Sequence, residues 1–168
     1  MAAAVKVLSW REERVRFGAD IPDEINALLQ VAAANAHAFE ASERALLQAR
    51  AQAPDQLEVL IALYKLYFYR GFTERAEQMV HEALTRSAKA GGFDSDWRTL
   101  DAASADWAAL EGPPRVYLYS LKALCFIRLR QSDQAGAVAL IDALHRLDPQ
   151  DQVGVTVLAS LADGVGEN

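Results

Sequence analysis

The most informative stretch of this sequence is Leu60-Ile-Ala-Leu-Tyr-Lys-Leu-Tyr-Phe-Tyr-Arg-Gly71. Its apolar residues recur at steps of three and four, which places them on one face of an α-helix. Gly71 can take the left-handed conformation that ends a helix, because it has no Cβ to clash with the backbone. A second helix is expected to follow, in which the small residues Ala76 and Ala83 flank Val80. Small residues let two helices approach closely, so the stretch predicts a helix–turn–helix pair.

The same pattern can be placed at two further positions along the chain. Pro54 and Pro149 each follow an Ala- and Leu-rich segment, and a proline stops one helix and sets the turn into the next. Counting from these prolines gives units at about 23–56, 57–87 and 118–150, of which the first is the weakest match. Repetition on this scale predicts a stack of helix pairs that share one continuous core.

The second and third units are not in tandem. The third begins 61 residues after the second, at position 118 against 57, whereas such pairs repeat about every 34 residues. The additional residues form an insertion at about 88–117, expected to be a loop with a short helix from near Trp97 to Leu110. Residues 151–163 are expected to form a terminal helix that covers the third unit, because arrays of this kind need atypical end caps.

Residues 57–84 and 118–149 resemble tetratricopeptide repeats, and the first unit resembles a degenerate one. The match departs from the pattern at Tyr64, where a small residue is favoured, and at Arg128, where an aromatic is favoured. The resemblance implies an all-α fold in a single domain over residues 1–168. It would be a right-handed superhelical stack of about three helix pairs, with the inserted segment and the C-terminal capping helix.

Four strings are more particular than generic repeat sequence. They are similar to a small tetratricopeptide factor encoded among bacterial nitrogen-fixation genes and associated with nitrogenase. The similarity implies that the partner is the nitrogenase molybdenum–iron protein and that the role is accessory, in maturation, protection or repair. The strings are Leu60 to Gly71, Gly91-Gly-Phe-Asp-Ser-Asp-Trp-Arg-Thr-Leu100, Tyr117 to Gln131, and Leu147-Asp-Pro-Gln-Asp-Gln-Val-Gly154.

The bulk composition narrows the classes of partner and location. The formal net charge is −6, and no basic face is evident, which disfavours binding to a nucleic-acid backbone. No run of about 18 apolar residues exists, so no membrane span is expected. We expect no secretory signal in the N-terminal residues through Arg14. The single cysteine, Cys125, excludes an intrachain disulfide and fits a reducing compartment, so we expect a cytoplasmic protein.

No motif in the sequence is typical of catalysis. His37, His81 and His145 do not stand at a metal-ligand spacing from one another or from the cysteine. Cys125 occupies a slot that favours a small buried residue, and no base lies near it in sequence. We therefore expect no enzyme activity, no cofactor and no metal. Carboxylates that folding brings together would revive the alternative of an enzyme.

The aspartates near the insertion are interpreted as structural. Asp94 and Asp96 lack the glycine and terminal glutamate of a calcium-binding loop. One of them is expected to cap the helix that begins near Trp97, by accepting hydrogen bonds from exposed backbone N–H groups. Asp23 is expected to cap the first helix in the same way.

The aromatic and basic residues are the best candidates for partner contacts, because Trp, Tyr and Arg concentrate binding energy at interfaces. The concave face of the stack is expected to include Asn26, Tyr69 and Phe126, together with Lys65 and Lys122. The structural alternative is that several aromatics attach the insertion to the stack. The candidate partner-binding residues are Lys65, Tyr69, Arg70, Phe93, Trp97, Arg98, Trp107, Tyr117 and Lys122.

On these grounds we expect a chaperone-like, non-catalytic factor that binds a protein. The alternative with the same fold is a chaperone or adaptor for another bacterial client, such as a secretion-system substrate. Self-association through an exposed end face of a terminal helix stays open.

Overall fold

The structure is a computed structural model, and it describes residues 21–164. Over these residues the protein is all-α and contains no β-strand, which confirms the all-α part of the predicted fold class. A single 3-10 turn, Trp97–Thr99, lies between the fourth and fifth helices. The α-helices are α1 Asp23–Ala34, α2 Phe39–Gln52, α3 Leu57–Tyr69, α4 Thr73–Gly91, α5 Pro113–Arg130, α6 Gln134–Leu147 and α7 Thr156–Gly164.

The helices pack mainly in chain order. Each helix contacts the next one, and the most extensive contacts join α4 to α3 and to α5. The α4–α5 contact is extensive although the chain between the two helices is the longest connection in the described part. A continuous apolar core therefore runs from Ile25 on α1 to Ala162 on α7.

The α3–α4 pair has the packing that the sequence predicts. Ala76, Val80 and Ala83 have no exposed surface, so the two helices meet at a seam of small side chains around one larger one. Gly71 adopts a left-handed φ of 82°. The turn closes where the N–H of Phe72 donates to the carbonyl of Tyr67 over 2.9 Å.

The insertion differs in detail from the expectation. Helix α4 continues to Gly91, beyond the predicted limit of 87, and ends where Gly92 takes a φ of 74°. The helix predicted to extend to Leu110 is only the 3-10 turn, and turns and bends follow it. Local side-chain bonds stabilise these turns instead, as when Asp101 Oδ1 accepts from the N–H of Ala103 over 2.8 Å.

The capping predictions had different outcomes. Asp96 does cap the short turn, since its Oδ1 accepts from the N–H of Arg98 over 3.0 Å. Asp23 does not cap α1: Pro22 holds the capping position and Asp23 is the first helical residue. There its negative charge still suits the positive end of the helix dipole. Helix α5 begins before position 118, because Pro113 and the proline after it suit the first turn of a helix.

The C-terminal end of the described chain is a helix, α7, that packs on α6. Leu158 and Ala162 face the core, and Asp151 accepts from the N–H of Val155 over 2.6 Å at the start of α7. No helix in the described residues is both long and apolar enough to cross a membrane. The N-terminal segment on which the expectation of no secretory signal rests lies outside the described residues.

Candidate partner-binding surface

The candidate site is a surface formed by one face of α3 and one face of α5, which we call the α3–α5 surface. On α5 the spacing of Arg115, Tyr119, Lys122 and Phe126 follows the helical repeat and aligns them along one side. The rings of Phe68 and Phe126 join the two helices with their centroids 6.1 Å apart. Its residues are Lys65, Phe68 and Tyr69 of α3 and Arg115, Tyr119, Lys122, Phe126 and Arg130 of α5.

Two lysines from different helices approach each other on this surface. Burial and, to a smaller extent, the charge of Lys122 lower the pKa of Lys65 to about 8. Burial also lowers the pKa of Lys122; Asp151 opposes this shift and the charge of Arg115 adds to it. Both ammonium groups are only partly accessible to water. The Nζ of Lys122 donates to the carbonyl of Val153 over 2.6 Å.

Arg115 is a buried cation at the end of this row. Only 3% of its surface is exposed. Its guanidinium lies 4.9 Å from the ring centroid of Tyr119 and donates over 3.3 Å to Gln152, at both the side-chain and the backbone oxygen. No carboxylate of the described residues forms an ion pair with it, and its Nε has no hydrogen-bond partner there. Neutral groups therefore hold this charge.

Helix α5 carries charges of only one sign. The helix carries four basic residues and no acidic one, although the chain as a whole has a net charge of −6. Within the described residues, Arg128 is the one cation of the four that pairs with a carboxylate; its Nη1 lies 2.6 Å from Glu77. Arg115, Lys122 and Arg130 lie on the α3–α5 surface without such a pair.

Aromatic rings extend the surface beside these cations. Tyr69 is 49% exposed and contacts the ring of Phe68, with the centroids 5.6 Å apart. The guanidinium of Arg130 lies 5.1 Å from the centroid of Phe68. Phe126 is partly exposed. The surface thus combines apolar rings that can fill a partner's pocket with cations that can bind an anionic group.

The aromatic residues predicted in the insertion occupy a different place. Phe93, Trp107 and Tyr117 form one cluster with ring centroids 5.1–5.9 Å apart. Trp107 is 5% exposed and Tyr117 is fully buried. These two residues therefore cannot contact a partner from their positions, which corrects their selection as exposed contacts. They attach the insertion to α5, and the hydroxyl of Tyr117 donates to the carbonyl of Ser95 over 2.7 Å.

The remaining predicted residues are separated from the α3–α5 surface or lie at its margin. Arg98 is exposed and pairs with Asp96 over 2.8 Å, beside the partly buried Trp97. Arg70 donates to the carbonyl of Ala36 over 2.9 Å. The structure thus brings together Lys65, Tyr69 and Lys122 but not the whole predicted set.

Sequence reasoning did not assign Arg130 or Gln152 to a site. It also did not place Phe68, Tyr119 and Arg115 on one surface. The repeat of polar and aromatic residues at 115, 119, 122 and 126 was the available signal, since it marks one side of α5.

Three features of the described residues bear on chemistry: metal-ligating groups, the thiol and one small cavity. No group of three or more His, Cys, Asp or Glu side chains among them could hold a metal ion. Burial raises the pKa of Cys125 to about 11, and its Sγ lies 3.7 Å from the carbonyl of Ala137, so the thiolate is disfavoured at neutral pH. A cavity of about 60 Å³ beside Tyr69 and Arg70 is lined mainly by alanines and contains no acid–base pair.

Fold and surface together define an all-α protein of consecutively packed helices with a mixed cationic and aromatic face. The chain belongs to the same family as an uncharacterized 19.8 kDa protein in the nifW 5' region of Azotobacter chroococcum mcd 1. The two are 32% identical over 129 residues, which cover 75% of this chain and 72% of that protein. The genomic position of this relative supports an association with nitrogen fixation. No family model matches the chain, and no solved structure matches it.

Proposed function

We propose that this protein is a non-catalytic accessory factor that binds a protein partner through the α3–α5 surface. The observation that carries the proposal is the contact of Phe68 on α3 with Phe126 on α5, which joins two helices that also carry the exposed Tyr69 and the partly buried Lys65 and Lys122. Such a combination is typical of the centre of a protein interface, where rings supply contact area and cations supply orientation.

The proposed partner is the nitrogenase molybdenum–iron protein, and the proposed location is the cytoplasm. Support comes from the relative in a nif gene region and from the resemblance of the four sequence strings to a nitrogenase-associated factor. The proposed role is chaperone-like, in maturation, protection or repair of that partner.

The proposed arrangement is a right-handed superhelical stack of tetratricopeptide type. Support comes from the packing of helices in chain order and from the seam of Ala76, Val80 and Ala83. In such stacks the first helix of each pair lines the concave face. Helices α3 and α5 are first helices in the predicted units, so the α3–α5 surface would lie on that face.

The test is affinity purification of the tagged full chain from its native host, grown without oxygen and with limiting nitrogen. We expect the molybdenum–iron protein to be recovered with the wild-type chain and to be lost with the double variant Tyr69→Ala/Phe126→Ala. Phe72→Ala is the matched control, because this ring is similarly exposed, at 43%, but contacts Phe39.

Two other results would contradict the proposal in different ways. If a different single protein is recovered, and is again lost with the double variant, the α3–α5 surface binds that protein and not the molybdenum–iron protein. If the double variant and the Phe72→Ala control retain the partner equally, the α3–α5 surface is not where it binds.

A further inference from the structure

We infer that the α3–α5 surface binds an acidic segment of the partner protein, whose side-chain carboxylates lie between Lys65 and Lys122 while an apolar side chain packs on Phe68 and Phe126. This inference rests on the proposed function, because it names the chemistry of the segment bound at the proposed surface. Three observations carry it: the one-sided charge, the burial of the cations, and the occupation of the nearest carboxylates.

The first observation is the contrast between this surface and the rest of the protein. Elsewhere several described arginines pair with acids: Arg50 pairs with Glu82 on another helix, and Arg86 pairs with Asp55 and, within α4, with Glu82. On the α3–α5 surface Lys122, Arg115 and Arg130 have no carboxylate within ion-pair distance in the described part of the chain. In a protein of net charge −6 this is a local reversal of sign.

The second observation is that these charges are not simply solvated. Lys122 is only partly accessible, and Arg115 is buried. Burial of a cation and repulsion between neighbouring cations both disfavour the charged forms, and a buried charge is costly unless it is paired. A bound carboxylate would offset both effects. Arg115 lies too deep for direct contact, so it would act through its positive potential.

The third observation concerns the acidic residues nearest to Lys122. Asp148 accepts from the N–H groups of Gln152 and Val153 over 3.0 and 2.9 Å, and Asp151 accepts from the N–H of Val155. Their oxygens therefore fix the α6–α7 loop. An ammonium group has three N–H donors, and the bond to the Val153 carbonyl uses one of them. Lys122 keeps donors for an external carboxylate.

The aromatic rings indicate that the anionic partner is a protein and not another polyanion. Phe68 contacts the ring of Phe126, and the guanidinium of Arg130 lies 5.1 Å from the centroid of Phe68. Rings beside a cation suit an acidic segment that also carries an apolar side chain. The rest of the chain is acidic, which would repel the extended backbone of a nucleic acid.

The test uses the full chain and a fluorescent 12-residue peptide with blocked termini that combines four glutamates with two phenylalanines. A second peptide has glutamine in place of each glutamate. We expect fluorescence anisotropy at low ionic strength to show binding of the glutamate peptide and at least about tenfold weaker binding of the glutamine peptide, since hydrogen bonds to charged groups are worth this much.

The variants are Lys65→Gln, Lys122→Gln and the double variant, with Lys89→Gln as the matched control because Lys89 is an exposed lysine of α4. We expect the double variant to lose about tenfold or more in affinity for the glutamate peptide, while the control keeps it. Lys122→Arg should retain most of the affinity, because it preserves the charge. Thermal melting establishes that each variant is folded; if Lys122→Gln unfolds, Lys65→Gln alone supplies the measurement.

Equal binding of the two peptides, or unchanged binding by the folded lysine variant, would overturn the inference. A preference for single-stranded DNA over the glutamate peptide would overturn it as well. The proposed function is tested separately. If the molybdenum–iron protein binds the wild type and the lysine variants equally, the proposed partner is supported and the inferred binding of an acidic segment is contradicted. If the wild-type chain recovers no protein from its host, the proposed function fails whatever the peptides do.

Discussion

Helix α5 carries four cations, and the groups that contact them differ between its two sides. On one side Arg128 pairs with Glu77 over 2.6 Å and lies 3.6 Å from Asp133, and Gln131 also donates to Glu77 over 2.8 Å. On the other side Arg115 and Lys122 meet tyrosine, glutamine and a backbone carbonyl but no carboxylate of the described residues. We call these the closed side and the open side of α5.

The difference separates a cation that is paired with carboxylates from cations that are held by neutral groups. Burial acts to raise the pKa of Glu77, but the hydrogen bonds from Gln131 and Arg128 outweigh it and hold the pKa below its ordinary value. The closed side is therefore a contact among α4, α5 and the start of α6. On the open side burial and the charge of a neighbouring cation lower the pKa of Lys65 and of Lys122, although the charge of Asp151 opposes the shift of Lys122.

The largest expected effect comes from the two tyrosines that differ by two positions on α5. Tyr117→Ala should lower the free energy of unfolding by about 3–5 kcal/mol, because it empties a fully buried site and removes the ring that contacts Phe93 and Trp107. Tyr119→Ala, on the open side, should cost about 1 kcal/mol or less. Urea denaturation followed by circular dichroism measures both. Similar losses for the two variants would contradict the division of α5 into two sides.

A smaller effect is expected from the two arginines near the end of α5. Arg128→Met should lower the free energy of unfolding by about 1–2 kcal/mol, because it removes a charged hydrogen bond to the partly buried Glu77. Arg130→Met should stay within about 0.5 kcal/mol of the wild type, since Arg130 is exposed.

The stability difference between the wild type and Arg128→Met should change with pH in one direction. The folded-state pKa of Glu77 is lowered, so its contribution is present above the unfolded pKa and is lost as pH falls through the folded value. The advantage of the wild type over Arg128→Met should therefore shrink below about pH 4.5, measured by the same denaturation at several pH values. An advantage that grew on acidification would contradict the assignment.

The smallest expected effect is the pH dependence of binding on the open side. Because the pKa of Lys65 is about 8, this lysine loses its proton as pH rises through that value, and the affinity for the glutamate peptide should fall several-fold between pH 7 and 9.5. Lys65→Arg should weaken this dependence, because arginine stays protonated; Lys122, with its own lowered pKa, would account for the remainder. Anisotropy titrations at constant ionic strength measure it, and a flat profile for the wild type would contradict a role for Lys65.

The sequence was sufficient for features that depend on near neighbours. The seam of Ala76, Val80 and Ala83 and the left-handed Gly71 follow from helical spacing and from the missing Cβ. A capping aspartate just before the helical turn also follows from the sequence, which left Asp94 and Asp96 as alternatives; the structure has Asp96.

Features that depend on distant neighbours could not be predicted in the same way. The burial of Trp107 and Tyr117 results from contacts between the insertion and α5, which no periodicity describes. Arg115 forms no ion pair with a described carboxylate, and this depends on how the helices pack in space. Composition could show that α5 has no acidic residue, but only the packing of α3, α5 and the α6–α7 loop shows that none arrives from elsewhere in the described chain.

The insertion between α4 and α5 also gives the protein an internal optical reporter. Trp97 and Trp107, two of the three tryptophans of the chain, lie within it. The Trp107 indole is 5% exposed among the rings of Phe93 and Tyr117, whereas Trp97 is less deeply buried. An indole shielded from water emits at shorter wavelength than a hydrated one, so detachment of the insertion would shift the emission towards the red. With Trp10→Phe, the tryptophan fluorescence of this chain would come from this segment alone.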